Sequence, residues 1–242
     1  MKFEIFSAII GLGATLGMWR IYQSVPEEER LPAAKSALWV LAGAFGGSRL
    51  GFFLWQPAYL TDSGWKAIQF WEGGFVWPGA VVGAIFASIL IALIRRKDVR
   101  LLLDQLSPLL PPVAIMTWLA CIPAGCGYGS RLPVNITWLT VIDERGVYAS
   151  RFPNQIVAAL FLFFIFYVFE RSFTTNRIGL RSGLTWLLFC LHTLLFSLFR
   201  ADIRPGWKNL PVDVWMVLGF LLVAMIYMIF ILKPRIENVA SS

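Results

Sequence analysis

The sequence predicts an all-α, polytopic integral membrane protein with seven transmembrane helices and broken or re-entrant segments. Seven long apolar stretches fill its 242 residues, and charged residues fall almost entirely between them. Composition agrees: 58% hydrophobic and 14% charged residues, with a mean hydropathy of +0.69, lie far from a soluble domain. A helix needs about 20 apolar residues to cross the hydrocarbon core. Backbone amides in lipid must bond internally, so these runs should be helices.

The first run, Phe3–Tyr22, carries Gly11, Gly13 and Gly17, a spacing that lets a neighbouring helix approach closely. It is long, and no small-residue cleavage site follows at Arg20–Gln23, so it is expected to stay as an anchor. Glu27-Glu28-Glu29 reads as a solvated charge run. The second run, Ala33–Trp55, is crowded by Gly43, Gly46, Gly47 and Gly51 and holds Arg49 inside it. Before the third run, Pro78–Ile94, the segment Trp71–Gly79 combines two glycines, a proline and an acid. It is expected to be re-entrant or extended, with a broken helix facing a cavity, because irregular backbone at that depth needs protein or water around it. The fourth run, Leu106–Cys126, leads into Cys121–Gly129, where Pro123 is expected to disrupt the helix and three glycines to end it. The fifth run is Gln155–Phe169. The sixth, Leu184–Phe199, contains His192, the only histidine, and is closed by Arg200. The seventh is Val212–Leu232. The longest connection, Gly127 to Asn154, holds little to build a separate core, so residues 1–242 are expected to form a single transmembrane domain.

Seven spans put the two termini on opposite sides. Twelve of the 21 Lys and Arg residues fall in one set of connections, including Arg95-Arg96-Lys97 directly after the third span. That bias assigns this set to the cytoplasm and the N-terminus to the outside. A net charge of +7 suits contact with anionic lipid heads. The charges are dispersed over both sides, so nucleic acid is not an expected partner. Cys121, Cys126 and Cys190 are an odd number without a CxxC pair. With one His besides, they do not assemble a zinc ligand set. Neither metal, cofactor nor disulfide is expected, and the cysteines read as small buried side chains.

Ionisable residues at membrane depth are costly and therefore mark candidate sites. Arg49 is read as facing inward. Arg151 and Arg200 either share that role or snorkel to the headgroups from helix ends.

The order of features resembles the bacterial prolipoprotein diacylglyceryl transferases, seven-span enzymes that move a diacylglyceryl group from phosphatidylglycerol to the lipobox cysteine of a preprolipoprotein. Gly47-Ser48-Arg49-Leu50-Gly51 is similar to the family's G-A-R-L-G, and Trp71-Glu72-Gly73-Gly74 to its W-D/E-G-G. Cys121–Gly129 followed by Leu132-Pro133 resembles the branch with G-C-x-x-G-C-x-Y-G and L-P. Arg151-Phe152-Pro153-Asn154-Gln155 resembles R-H-P-x-Q, and Leu198-Phe199-Arg200 the F-F-R that ends the sixth span. The resemblance implies a lipid-binding set of Arg49, Arg131, Arg151, Gln155 and Arg200. It also implies phosphatidylglycerol-like phospholipid as a partner, with a lipoprotein precursor or another membrane subunit as the second.

Departures from the family pattern run in one direction. Pro78 stands where the family has the His taken as catalytic base, and Trp118 where it has an Arg thought to hold the headgroup. Thr193 and Ser197 replace a paired Arg and Glu, Val157-Ala158 a Tyr-Glu, and Phe6 a Tyr. Thioether formation needs a thiolate, a base to make it and cations for the phosphate leaving group. His192 and Glu72 are the remaining candidates for the base. Two readings stay open: a divergent transferase with rearranged catalytic groups, or a catalytically inactive homologue that acts as a lipid-binding or complex-associated subunit. A base near the Trp77-Pro78 bend favours the first. Filling of the cavity by Trp71, Trp77 and Trp118 favours the second.

Overall fold

The computed structural model describes residues 2–59, 69, 73–142, 147–173 and 177–233. Among these residues eight α-helices carry the fold: α1 Lys2–Ser24, α2 Glu27–Trp55, α3 Trp77–Arg95, α4 Val99–Leu106, α5 Leu110–Ala124, α6 Asn154–Ser172, α7 Leu180–Phe199 and α8 Val212–Leu232. A 3₁₀ turn, Ser107–Leu109, joins α4 to α5. Counted as one continuous stretch, Val99–Ala124 is the fourth of seven segments long and apolar enough to cross a membrane among the described residues. The chain is an all-α, multi-pass membrane protein. Large apolar side chains cover its outer surface, including Leu54, Ile94 and Phe230, as expected where the solvent is lipid rather than water.

Small residues set the helix pairing. α2 and α3 run antiparallel and meet backbone to backbone at Gly43, Gly47 and Gly51 against Gly79, Gly83 and Ala87. α1 packs on α5, with Gly13 against Met116 and Pro112 and Gly17 against Leu109. Two apolar cores result. One joins α1, α2, α3 and α4 through Ile21, Ala37, Val40, Ala92 and Leu102. The other joins α3, α5, α6 and α7 through Val81, Ala114, Leu162, Phe166 and Phe189, with Trp77, Trp118 and Trp186 packed on it. At one end of the bundle the Asp104 carboxylate accepts from the Ser182 N–H at 2.7 Å and from that of Gly179. It thereby satisfies amide groups that the start of α7 leaves open.

Three expectations need correction. Trp77–Gly79 is the first turn of an unbroken α3, so among the described residues only Gly73–Val76 is irregular. Pro78 suits a first turn because its missing N–H has no helical partner there. Trp71 and Glu72 lie outside the described residues. Pro123 does not break its helix either; it sits inside the last turn of α5, and Gly125, at φ 74°, ends the helix. Finally, Cys121 and Cys126 form a disulfide, where none was expected. The Gly125 N–H bonds Ile122 O at 3.3 Å and the Cys126 N–H bonds Cys121 O at 3.0 Å. This is a Schellman ending, which folds the sixth residue back over the first. The two Cα atoms are 4.8 Å apart, within disulfide reach. Reduction followed by alkylation should therefore expose two thiols. Buried Cys190 should react only after unfolding, and two labelled thiols before reduction would contradict the bond.

Between α5 and α6 the chain also builds a small ribbon. Strand β1, Thr140–Ile142, pairs antiparallel with β2, Tyr148–Ser150. A second ribbon, β3 Gly206–Trp207 with β4 Leu210–Pro211, links α7 to α8.

Candidate functional site at one membrane face

The expected headgroup residues lie at one end of the bundle, where α2, α5 and α7 end and α3, α6 and α8 begin. Arg49, in the penultimate turn of α2, is buried at 8% exposure. Its guanidinium donates to the carbonyls of Gly73, Gly74 (3.1 Å) and Gln69 (3.2 Å). The rings of Phe52, Phe53 and Phe75 surround it. Five rigid donors suit a cluster of carbonyls. Gly74 is held at φ 76°, and a Cβ there would meet Arg49 and Phe52. The Arg thus ties the segment before α3 to α2.

A second group gathers around the turn 125–129. Arg151 stacks on the buried ring of Tyr128 at 4.4 Å. Its backbone pairs with that of Arg131 in an isolated antiparallel bridge, which sets two cationic residues opposite each other. Gln155 donates to Cys126 O at 2.8 Å. Its neighbour Asn154 is fully buried and donates to Gly127 O at 3.0 Å. Arg200 follows α7 and grips Asp202 through both Nε (2.9 Å) and a terminal nitrogen. Asp202 also accepts from the Gly127 N–H at 3.2 Å. So Arg151, Gln155 and Arg200 converge on one turn, while the contacts of Arg49 run to the segment before α3.

Three residues of this cluster escaped the sequence reading. Arg204 donates to both carboxylate oxygens of Asp213, at 3.0 and 2.8 Å, and to Arg200 O at 3.1 Å. Asp213, in the first turn of α8, also accepts from Ser197 at 3.3 Å and lies 3.7 Å from Arg200. Two arginines and two aspartates therefore form one neutral network, with the Asp202 side chain 4% exposed. Burial raises the Asp202 pKa, but the Arg200 hydrogen bonds and charge, the Gly127 N–H and the Arg204 charge outweigh it and hold the carboxyl below its usual value. The available signal was the alternation Arg200-x-Asp202-x-Arg204 followed by an acid at the start of a span.

His192 sits apart from these groups. It is 2% exposed, and its Nε2 donates to Ala158 O of α6 at 2.9 Å. Trp118, Phe161 and Phe196 enclose the ring. Its Nδ1 has no partner among the described residues. Trp77 packs against Phe189 and Phe220. Where a family base and a headgroup arginine were sought, the described residues thus supply aromatic rings and the first turn of α3. Glu72 lies outside the described residues. Among those described, no cluster of His, Cys, Asp or Glu is suited to hold a metal.

Comparison with known proteins bears on this geometry. A family model described as prolipoprotein diacylglyceryl transferase matches residues 1–231. Similar curated proteins are named phosphatidylglycerol–prolipoprotein diacylglyceryl transferase. The one from Nitratidesulfovibrio vulgaris is 26% identical over 75% of this chain and 68% of its own. That from Gloeobacter violaceus is 30% identical over 83% and 68%, respectively. The Rhodospirillum rubrum protein is 25% identical over 99% of this chain and 90% of its own.

Proposed function

Because the chain belongs to the prolipoprotein diacylglyceryl transferase family, whose model matches residues 1–231, we propose that it binds a phosphatidylglycerol-type lipid but transfers diacylglyceryl groups poorly or not at all. It does so as a single transmembrane domain in a bacterial plasma membrane, N-terminus outside, with the Arg151–Arg200 end facing outward. The observation that carries this reading is the enclosure of His192, the one imidazole of the chain, by Ala158 O and three aromatic rings. A general base must come within hydrogen-bond reach of the thiol it deprotonates. An imidazole enclosed in the core does not present itself to a lipoprotein cysteine.

Lipid binding draws support from a different place. Arg131 and Arg151 stand opposite each other across their backbone bridge, and guanidinium groups offer an anionic headgroup paired hydrogen bonds. Gln155 holds the neighbouring turn in place. No cofactor enters this chemistry. The second partner would be a lipoprotein precursor or another membrane subunit.

The relatives' names favour the competing reading, an active transferase, so the test is complementation. The chain is expressed in bacteria depleted of their own transferase, and lipoprotein modification is followed. Loss of base catalysis typically costs about 10²–10⁴ in rate, and loss of an electrostatic partner about 10²–10³. Such losses need not multiply, yet either leaves a marginal catalyst. The expected result is unmodified prolipoprotein alongside co-purified anionic phospholipid. Full rescue that Glu72→Ala or His192→Ala abolishes would establish the active transferase instead.

A further inference from the structure

The opposite end of the bundle holds a second cationic site that the proposed function does not use. A cavity of about 370 Å³ opens between the start of α2 and the end of α3, lined by Leu31, Pro32, Lys35, Arg95 and Lys97. Three of its five lining residues are cations. The helices are held together through Gly43, Gly47, Gly79 and Gly83 deeper in the bundle, so the ends that frame the cavity are fixed relative to each other.

Each cation is placed by a different device. Arg95, in the last turn of α3, donates through one terminal nitrogen to Pro32 O at 2.9 Å and to Ser36 Oγ at 2.7 Å. That carbonyl also accepts from the Ser36 hydroxyl at 2.9 Å, so Arg95, Pro32 and Ser36 are joined in one set of hydrogen bonds. The other two Arg95 nitrogens have no partner among the described residues. Lys35, one turn further along α2, has none either. Lys97 is brought round by Arg96, which takes the left-handed conformation at φ 52°. The Arg96 N–H bonds Leu93 O at 3.2 Å and the Lys97 N–H bonds Ala92 O at 3.0 Å. Glycine is the usual residue at such a position. A non-glycine residue there is a local cost of the kind that collects at ligand clamps and switches.

Acidic groups offset only part of this charge. Glu29 lies 3.5 Å from Lys97 and also accepts from Gln105. Glu28 is on the same helical face as Leu31 and Lys35, one turn further out, and Glu27 starts the helix. Leu31, 63% exposed, adds an apolar wall beside the cations. A site with donors at one end and an apolar wall at the other matches a phosphate attached to an acyl chain.

We infer that this cavity binds the phosphate of an anionic headgroup, with Lys35, Arg95 and Lys97 as its donors. The inference is independent of the lipid-binding reading above, because no residue is shared and the two sites lie at opposite ends of the bundle. A basic pocket between spans binds anionic heads by the same electrostatics that draw polybasic segments to the cytoplasmic leaflet. Free phosphate offers the same donors the same charge, but leaves Leu31 without a role.

The test uses the full chain in phosphatidylcholine nanodiscs and the Lys35→Gln/Lys97→Gln double variant, whose substitutions avoid the Arg95 tether. One arm adds phosphatidylglycerol and counts retained lipid by native mass spectrometry. The other adds inorganic phosphate and reads ³¹P line broadening. About fivefold weaker binding is expected for each lysine removed, the factor that one surface charge contributes near an anionic leaflet. Loss in the lipid arm alone identifies a membrane lipid as the source; loss in the phosphate arm alone identifies a soluble phosphate. Arg181→Gln removes one charge from the first turn of α7, at the same end of the bundle but outside the cavity lining. If the double variant changes neither arm, or if Arg181→Gln weakens binding as much per charge, the site does not exist.

Discussion

Asp202→Ala should cost on the order of 3–5 kcal/mol of stability, the range for removing one partner of a buried pair. The substitution takes a carboxylate from both Arg200 and Arg204, and it takes the acceptor from the Gly127 N–H. Asp202→Asn, which keeps an acceptor and the shape, should cost less. Thermal unfolding of the detergent-solubilised protein measures both. The pH dependence follows from the lowered Asp202 pKa. A carboxyl with a lower pKa folded than unfolded binds fewer protons when folded, so stability rises with pH across that interval. The contribution is complete above the unfolded value of about 3.9 and is lost as pH falls through the lower folded value. Asp202→Asn should therefore show a shallower acid decline than the parent below about pH 4. An identical decline in the two proteins would show that the network does not bear on folding.

That network shows where sequence reasoning reaches and where it stops. The arginines were legible because a charge near hydrocarbon is costly and stands out against Leu and Phe. Their carboxylate partners were not, because Asp202 lies in a polar connection where an acid usually faces water. Only the fold, by returning the chain through β3 and β4 to α8, sets Asp213 beside Arg204. Arg49 was read correctly as facing inward, yet its partners are carbonyls of the segment before α3, and backbone partners leave no trace in side-chain identity.

The spans themselves were legible for a simpler reason: lipid demands long apolar runs, and seven were present. Their ends were less so. α2 begins at Glu27, six residues before its apolar run, because a polar first turn outside the membrane still gains helical hydrogen bonds. The fourth span begins at Val99 with the separate helix α4, whose N-cap Asp98 accepts from the Arg100 N–H at 2.8 Å. The disulfide was missed because a spacing of five matches no redox motif. It depends instead on the left-handed Gly125, which brings Cys126 back to Cys121. The glycines of α2 were read in general terms as packing residues, and the α3 glycine that faces them supports a sharper claim.

Gly83→Leu should prevent α2 and α3 from closing. A Cβ on Gly83 meets the Gly43 carbonyl oxygen, with Gly43 C and Gly47 Cα each 2.9 Å away. All three atoms are backbone, so no rotamer change can make room, and the helices must separate. Overpacking of an ordinary core costs about 1–3 kcal/mol because side chains shift to absorb it. Here the backbone contact removes that route, and the cost should reach or pass the upper end. Separation would also undo Gly47 against Gly79 and Gly51 against Val76. Without a hydrophobic drive between helices in lipid, those close contacts are what hold the pair. The expected result is little folded protein recovered from membranes, and early unfolding of what is recovered. Gly46→Ala is the control: it lies in the same helix, and a Cβ there meets nothing within 4 Å, so it should behave as the parent. Parent-like melting by Gly83→Leu would mean that α2 and α3 do not cross at these glycines.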